Sequence, residues 1–188
     1  MKVTTILGSP KKKGNTAKVL GLFEELIAKK HTVDRINIAD YAVKGCLGCG
    51  LCRKTSDEPG CVQKDDAVSI FERMMVSDAV VYTSPLYCWG FSAQIKALID
   101  RHFCLVTGYG TPEHHSLIEN KPTALLVTCG GPLENNADLI QGIFDRVNNF
   151  SKGHVVGKYV VPFCTTPDAL GEEAMEIAKK MESDIVGT

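Results

Sequence analysis

Cys46, Cys49 and Cys52 are spaced as C-x-x-C-x-x-C, and Cys61 follows with eight residues between. Gly45, Gly48 and Gly50 are interleaved with them. Three thiolates at that spacing on a glycine-rich loop wrap three corners of a [4Fe–4S] cube, and a fourth comes from farther away. Structural zinc prefers two C-x-x-C pairs separated by a longer gap. Thioredoxin-like chemistry uses a lone C-x-x-C at a helix start, and no helix signal stands here. The triple run therefore favours iron–sulfur over zinc. On the residues alone, thiols that line a pocket without metal are the competing reading.

A second group of residues suits phosphate. Residues 3–17 read V-T-T-I-L-G-S-P-K-K-K-G-N-T-A: a short apolar run, a Gly-Ser-Pro turn, a basic loop bounded by Gly14, and a helix opening at Asn15-Thr16. A helix start leaves backbone N–H groups unpaired and carries the positive end of the macrodipole, so it attracts phosphate. Ser9, Asn15 and Thr16 add polar side chains, and Lys11, Lys12 and Lys13 add charge. A Walker A loop would need Gly-Lys-Ser/Thr, but Gly14 precedes Asn15. A dinucleotide fingerprint would need G-x-G-x-x-G, but only Gly8 and Gly14 are present. One small turn with hydroxyl donors suits a single terminal phosphate, which points to a mononucleotide such as FMN.

Two further segments match that site. Ser84-Pro85-Leu86-Tyr87-Cys88-Trp89-Gly90 holds the only tryptophan beside a tyrosine. A stiff, aromatic-edged turn of this kind fits a flat heteroaromatic ring. Thr128-Cys129-Gly130-Gly131-Pro132 carries two glycines that let backbone approach a ligand. His114-His115 lies in a polar loop and reads as surface.

The elements needed to bring these segments together are legible as periodicity. Strands are expected over 3–7, 32–38, 79–83, 123–128 and 155–162, and helices over 15–30, 67–76, 91–103, 133–150 and 170–185. Asp66 is the expected cap of the second helix. Runs such as A-V-V-Y-T and T-A-L-L-V-T are apolar throughout, as in strands buried on both faces of a parallel sheet. Alternating strands and helices imply a doubly wound α/β sheet with helices on both faces. Ligands of such sheets bind beyond the carboxyl ends of the strands, where the loops after the first, third and fourth strands converge. Residues 39–66 form a long irregular segment that holds the cysteine run, and such a length is usually functional.

The 188 residues suit one domain. A hydrophobic content of 44% and a charged content of 23% are ordinary for a globular protein with a real core. The net charge of −1 argues for neither nucleic acid nor a membrane surface as partner. Met1-Lys2 leads directly into a strand, with no signal peptide and no apolar run of bilayer length, so the expected compartment is the cytoplasm. Eight cysteines in a reducing compartment are not expected to form structural disulfides. Cys88, Cys104, Cys129 and Cys164 are scattered in apolar surroundings, where a thiol behaves as a small hydrophobe.

G-S-P-K-K-K-G-N-T, T-S-P-L-Y-C-W-G, S-A-Q-I-K-A-L-I-D-R and T-C-G-G-P, in this order and spacing, resemble the NAD(P)H-dependent FMN reductase branch of the flavodoxin-like fold. The resemblance covers nearly the whole chain. It implies a five-stranded flavodoxin-like sheet, non-covalent FMN, NAD(P)H as electron donor, and a homodimer or homotetramer. By that resemblance Ser9, Lys11, Gly14, Asn15 and Thr16 hold the FMN phosphate. Pro85, Leu86, Tyr87, Cys88, Trp89 and Gly90, with Thr128, Cys129, Gly130 and Gly131, flank the isoalloxazine. The iron-sulfur flavoproteins are a subgroup with a compact cysteine motif after the second strand, and Cys46, Cys49, Cys52 and Cys61 match it, although the last spacing is slightly longer. In that subgroup a cluster relays single electrons between the flavin and a partner such as ferredoxin. No catalytic acid or base is needed for hydride transfer to a flavin, so none is assigned. A cluster-free FMN or quinone reductase, an electron carrier without a small substrate, and a zinc-binding interaction module are the alternatives.

Overall fold

A computed structural model describes residues 1–187. Strands β1 (Lys2–Leu7), β2 (Thr32–Asn37), β3 (Ala79–Pro85), β4 (Pro122–Thr128) and β5 (His154–Val161) form one parallel sheet in the order β2-β1-β3-β4-β5. This is the flavodoxin-like order, with its switch point between β1 and β3. The central strands β1, β3 and β4 are buried along almost their whole length, while β2 and β5 at the edges are only partly covered.

Period-2 alternation divides the apolar residues between two cores. Ile6, Val80, Tyr82, Leu125 and Val127 face one core with Phe71 and Phe144. It lies beneath helices α2 (Ala67–Met75), α3 (Ala93–Asp100) and α4 (Asp138–Ser151). Val3, Leu7, Val81 and Leu126 face the other with Phe23 and Met181, beneath α1 (Asn15–Ile27) and α5 (Glu172–Val186). Among the described residues no helix is long and apolar enough to cross a membrane.

Several ends differ from the periodic reading. The chain of α4 begins irregularly: Glu134 is extended and Asn135 left-handed (φ 54°), so regular helix starts only at Asp138. Helix α3 stops at Asp100 and continues as a tighter turn, His102–Leu105. Val106–Thr107 pairs with His115–Ser116 in a two-residue antiparallel ribbon. Asp66 does not cap α2 through its side chain; its Oδ2 accepts from the Ala42 N–H at 2.7 Å instead. His114 is half-buried and bonds the Phe150 carbonyl at 2.9 Å, whereas exposed His115 pairs with Glu119 at 3.1 Å.

His102 packs edge-on against Phe71 and at a tilt against Tyr82, and neither ring nitrogen has a hydrogen-bond partner. Burial pushes its pKa from 6.5 down to about 4. Between those values the unfolded chain takes up the proton and the folded chain does not, so stability falls as the pH falls. His102→Phe is expected to remove this acid penalty, about 2 kcal/mol at pH 5. Thermal unfolding of both proteins at pH 7 and pH 5 checks it: the advantage of the variant must be larger at pH 5.

Candidate functional site

At the carboxyl ends of β1, β3 and β4 a cleft of about 170 Å³ is lined by Ser9, Lys11, Gly14, Asn15, Thr16, Pro85, Leu86, Tyr87, Thr128, Cys129, Gly130 and Cys164. Loops after β1, β3, β4 and β5, separated by long stretches of sequence, thus meet in one place. Gly8 makes the first turn possible: a Cβ there would lie 2.5 Å from the Thr83 carbonyl oxygen and 2.9 Å from the Ile95 side chain. Ser92 Oγ donates to the Gly8 carbonyl, and Ser84 Oγ accepts from the Ser92 N–H at 3.0 Å. Both serines are fully buried and fix the loops after β1 and β3 to each other. Thr16 Oγ1 lies 2.6 Å from Thr128 Oγ1, which links the start of α1 to the loop after β4.

The polar wall suits an anion with hydroxyls attached. No side chain caps α1, so its first-turn N–H groups are available. Ser9 Oγ accepts from the Lys11 N–H at 3.0 Å, which leaves its own proton to donate. Asn15 Nδ2 donates to the Thr165 carbonyl at 3.3 Å, but its Oδ1 is buried without a partner. A buried acceptor of this kind asks for a donor from a ligand. A phosphorylated polyol such as the ribityl phosphate of FMN brings both the anion and the O–H groups, so the donor set fits. Lys12 is tied up in an ion pair with Asp40. Lys11 and Lys13 have no salt bridge among the described residues, and only Lys11 lines the cleft.

Cys88, Trp89, Gly90 and Gly131 do not line the cleft. Tyr87 and Gly90 exchange two backbone hydrogen bonds, 3.1 and 3.0 Å, around Cys88 (φ 46°) and Trp89 (φ 59°). Two left-handed residues in a row make a tight hairpin turn that normally takes Asn-Gly. Here it carries a tryptophan that is 58% exposed. Strain of this kind is retained where a loop must present a side chain. Cys129 and Cys164 are adjacent across the cleft wall, with the Cys164 N–H donating to the Cys129 carbonyl at 2.8 Å. Burial pushes both thiols up, so they stay protonated. Cys164 was not legible as a site residue, because its loop after β5 has no glycine or phosphate signature.

A separate cavity of about 330 Å³ gathers Cys46, Cys49, Cys52 and Cys61, the four thiols of the spaced run. Gly48 (φ 64°) and Gly50 (φ 69°) are left-handed, which folds the chain around the cavity. The Gly48 N–H donates to Cys46 Sγ at 3.4 Å. All four cysteines are free; Cys46 and Cys49 are exposed, Cys52 and Cys61 half-buried. Burial first, and then the neighbouring Cys61, Cys46 and Cys49, raise the pKa of Cys52. Four thiolates crowded together repel, and a polycationic group bound between them would offset this.

Among the described residues no three His, Cys, Asp or Glu side chains are gathered around a point that could hold one metal ion. Thiolates are the ligands that an iron–sulfur cube takes, and four thiols on one cavity with an N–H···S donor have that chemistry. Arg101 and Cys104 also line this cavity, and both escaped sequence reading because Arg101 closes a helix and Cys104 sits in an apolar run.

Residues 1–163 match the family described as NADPH-dependent FMN reductase. An iron-sulfur flavoprotein of Archaeoglobus fulgidus is 32% identical over 186 residues, covering 98% of this chain and 79% of the relative. One of Methanosarcina thermophila is 32% identical over 162 residues, covering 86% and 77%. Among solved structures, an NAD(P)H:quinone oxidoreductase from Methanothermobacter marburgensis superposes with a TM-score of 0.69 at 17% identity, covering 100% of this chain and 99% of that one. An FMN-dependent NADH-azoreductase from Bacillus anthracis in complex with FMN gives 0.61 at 17% identity, covering 100% and 98%.

Proposed function

The chain belongs to the NADPH-dependent FMN reductase family of FMN-dependent oxidoreductases, and we propose from this that it is an iron–sulfur flavoprotein with two redox sites. FMN occupies the cleft at the ends of β1, β3 and β4. A [4Fe–4S] cluster is held by Cys46, Cys49, Cys52 and Cys61. The observation that carries this reading is the convergence of those four free thiols on one cavity, separate from the cleft at the strand ends. The names of the relatives in Archaeoglobus and Methanosarcina support it.

Bound FMN supplies two-electron and one-electron redox chemistry, and a bound cluster supplies single-electron transfer. The protein's own residues bind and orient. Ser9, the first turn of α1 and Lys11 hold the phosphate, and Asn15 Oδ1 accepts from the ribityl chain. Pro85, Leu86 and Tyr87 form one wall of the ring slot, with Thr128, Cys129, Gly130 and Cys164 the other. Cys129 and Cys164, kept neutral by burial, exclude water without competing as nucleophiles. Trp89, Cys88 and Gly90 form the exposed rim, where a substrate ring would meet the flavin. The donor is a nicotinamide nucleotide or a ferredoxin-like redox protein, the assembly a homodimer or homotetramer, and the compartment the cytoplasm, where free thiols persist.

The visible spectrum of protein purified without oxygen, with iron and sulfide counted in the same sample, tests this. Flavin bands over a broad shoulder and about four irons per chain are expected. Cys49→Ser is expected to abolish the broad absorption while FMN stays bound. Retained cluster absorption in that variant would refute the ligand set. Flavin bands without iron would leave a plain FMN or quinone reductase.

A further inference from the structure

Arg101 follows the last residue of α3, and its side chain and that of Asp65 are each 1% exposed. Arg101 Nη1 donates to Asp65 Oδ2 at 2.7 Å and to the Lys44 carbonyl at 2.9 Å, and Nη2 donates to Asp65 Oδ1 at 3.0 Å. Asp65 Oδ2 also accepts from the Lys44 N–H at 2.9 Å, and Oδ1 from the Ala67 N–H at 3.2 Å. Lys44 precedes the first cysteine of the cavity and Asp65 follows the last. One buried guanidinium therefore closes the base of the cysteine lobe from both sides. Three of its five N–H donors are thus engaged, and Nε–H is buried without a partner.

Arg101 lines the cavity that gathers the cysteines, and Cys61 is near enough to the guanidinium to interact with it both through charge and as a hydrogen-bond partner. A buried ion pair is poor value as a stabilising device, because desolvation offsets most of its attraction. Its presence here with a buried donor left unpaired calls for another use. Arg53, the other cation lining the cavity, stacks over the Phe103 ring. Arg101 is thus the buried positive charge at a site that gathers negative sulfurs.

We propose that Arg101 is a positioning residue of the cysteine cavity, with its Nε–H held for the sulfur of Cys61 and its charge raising the reduction potential of the cluster bound there. The proposal rests on the iron–sulfur reading. Hydrogen bonds to the sulfurs and net charge are among the terms that set a cluster's potential. Asp65 fixes the direction of the fork, and the Lys44 carbonyl keeps it from turning away.

The test is a redox titration of anaerobically purified wild type, Arg101→Lys and Arg101→Met, followed by visible absorption and electron paramagnetic resonance, with iron counted in each. The cluster potential is expected to shift negative in Arg101→Met and to recover in part in Arg101→Lys, which restores charge without the fork. The flavin couple is expected to stay unchanged. An unshifted cluster potential in iron-loaded Arg101→Met overturns the proposal and leaves the iron–sulfur reading standing. Wild type without iron overturns both.

Arg101→Met alone leaves Asp65 buried and unpaired, so Asp65→Leu/Arg101→Met is measured beside it. The double variant carries no orphaned charge and is expected to show a smaller negative shift, because the Asp65 carboxylate that adds to the shift in Arg101→Met is gone as well. Should it fail to hold iron, hydrogen exchange of residues 44–67 in the iron-free proteins decides. A lobe protected as in wild type supports a role in holding Cys61 for the cluster. A lobe that has lost protection makes Arg101 purely structural and overturns the proposal.

Discussion

Ser9→Ala/Asn15→Ala is expected to weaken FMN binding about 30- to 1,500-fold. Ser9 Oγ already accepts from the Lys11 N–H, so its proton is free for a phosphate oxygen. A hydrogen bond to a charged group contributes about 1.5–3 kcal/mol. Asn15 Oδ1, buried and unmatched, would gain a neutral hydrogen bond of about 0.5–1.5 kcal/mol from a ribityl hydroxyl. Together these give about 2–4.5 kcal/mol, and each 1.4 kcal/mol is about tenfold in affinity. The quenching of flavin fluorescence on titration of FMN into flavin-free protein reads the dissociation constant directly. The far-ultraviolet circular dichroism should not change, because neither side chain packs in the core. A loss of less than about twofold, below what one neutral hydrogen bond contributes, would place the phosphate elsewhere.

The cleft was readable from the sequence because its parts obey local rules. Each central strand is a short apolar run that ends in a small-residue turn, and a parallel sheet puts all such turns on one edge. Ser9, Asn15, Thr16, Pro85 and Thr128 therefore fall on the cleft wall as the pattern implies. Trp89 was harder. Its residue type predicts burial against a ring, but the two left-handed residues Cys88 and Trp89 swing it out on a hairpin tip, and left-handed backbone at Cys-Trp has no sequence signature.

The boundaries of α3 and α4 illustrate the same limit. L-E-N-N-A reads as helix, yet Asn135 adopts the left-handed conformation that asparagine tolerates, and the helix starts later. The ribbon of Val106–Thr107 with His115–Ser116 is two residues long, too short for any period to show.

Least legible was the base of the cysteine lobe. Asp65 and Arg101 are thirty-six residues apart, and their pairing depends on where α3 ends relative to the lobe. Asp-Asp at 65–66 looks like a helix cap, and Asp-Arg at 100–101 looks like an exposed helix end. Only tertiary packing converts them into a sealed ion pair.

Asp65→Asn is expected to destabilise the folded protein by about 3–5 kcal/mol, the usual cost of leaving one member of a buried ion pair uncompensated. The carboxylate holds Arg101 and two backbone N–H groups at once, so its loss also frees both ends of the lobe. The effect is pH-dependent. Burial works against the charge of Asp65, but the Arg101 hydrogen bonds and the Lys44 and Ala67 N–H groups outweigh it and hold the pKa below the usual 3.8. A carboxylate with a depressed folded-state pKa contributes stability that is fully present above its unfolded value and lost as the pH falls through its folded value. The gap between wild type and Asp65→Asn should therefore be widest at neutral pH and narrow only below about pH 3.8. That window lies beneath the one in which His102 acts, so the two groups separate along the acid limb. Urea unfolding of both proteins at pH 7, 5 and 3 measures it. A gap that is already closed at pH 5 would mean that Asp65 is not held ionised by Arg101. An Asp65→Asn protein as stable as wild type at pH 7 would mean that water reaches the pair and that the base of the lobe is open.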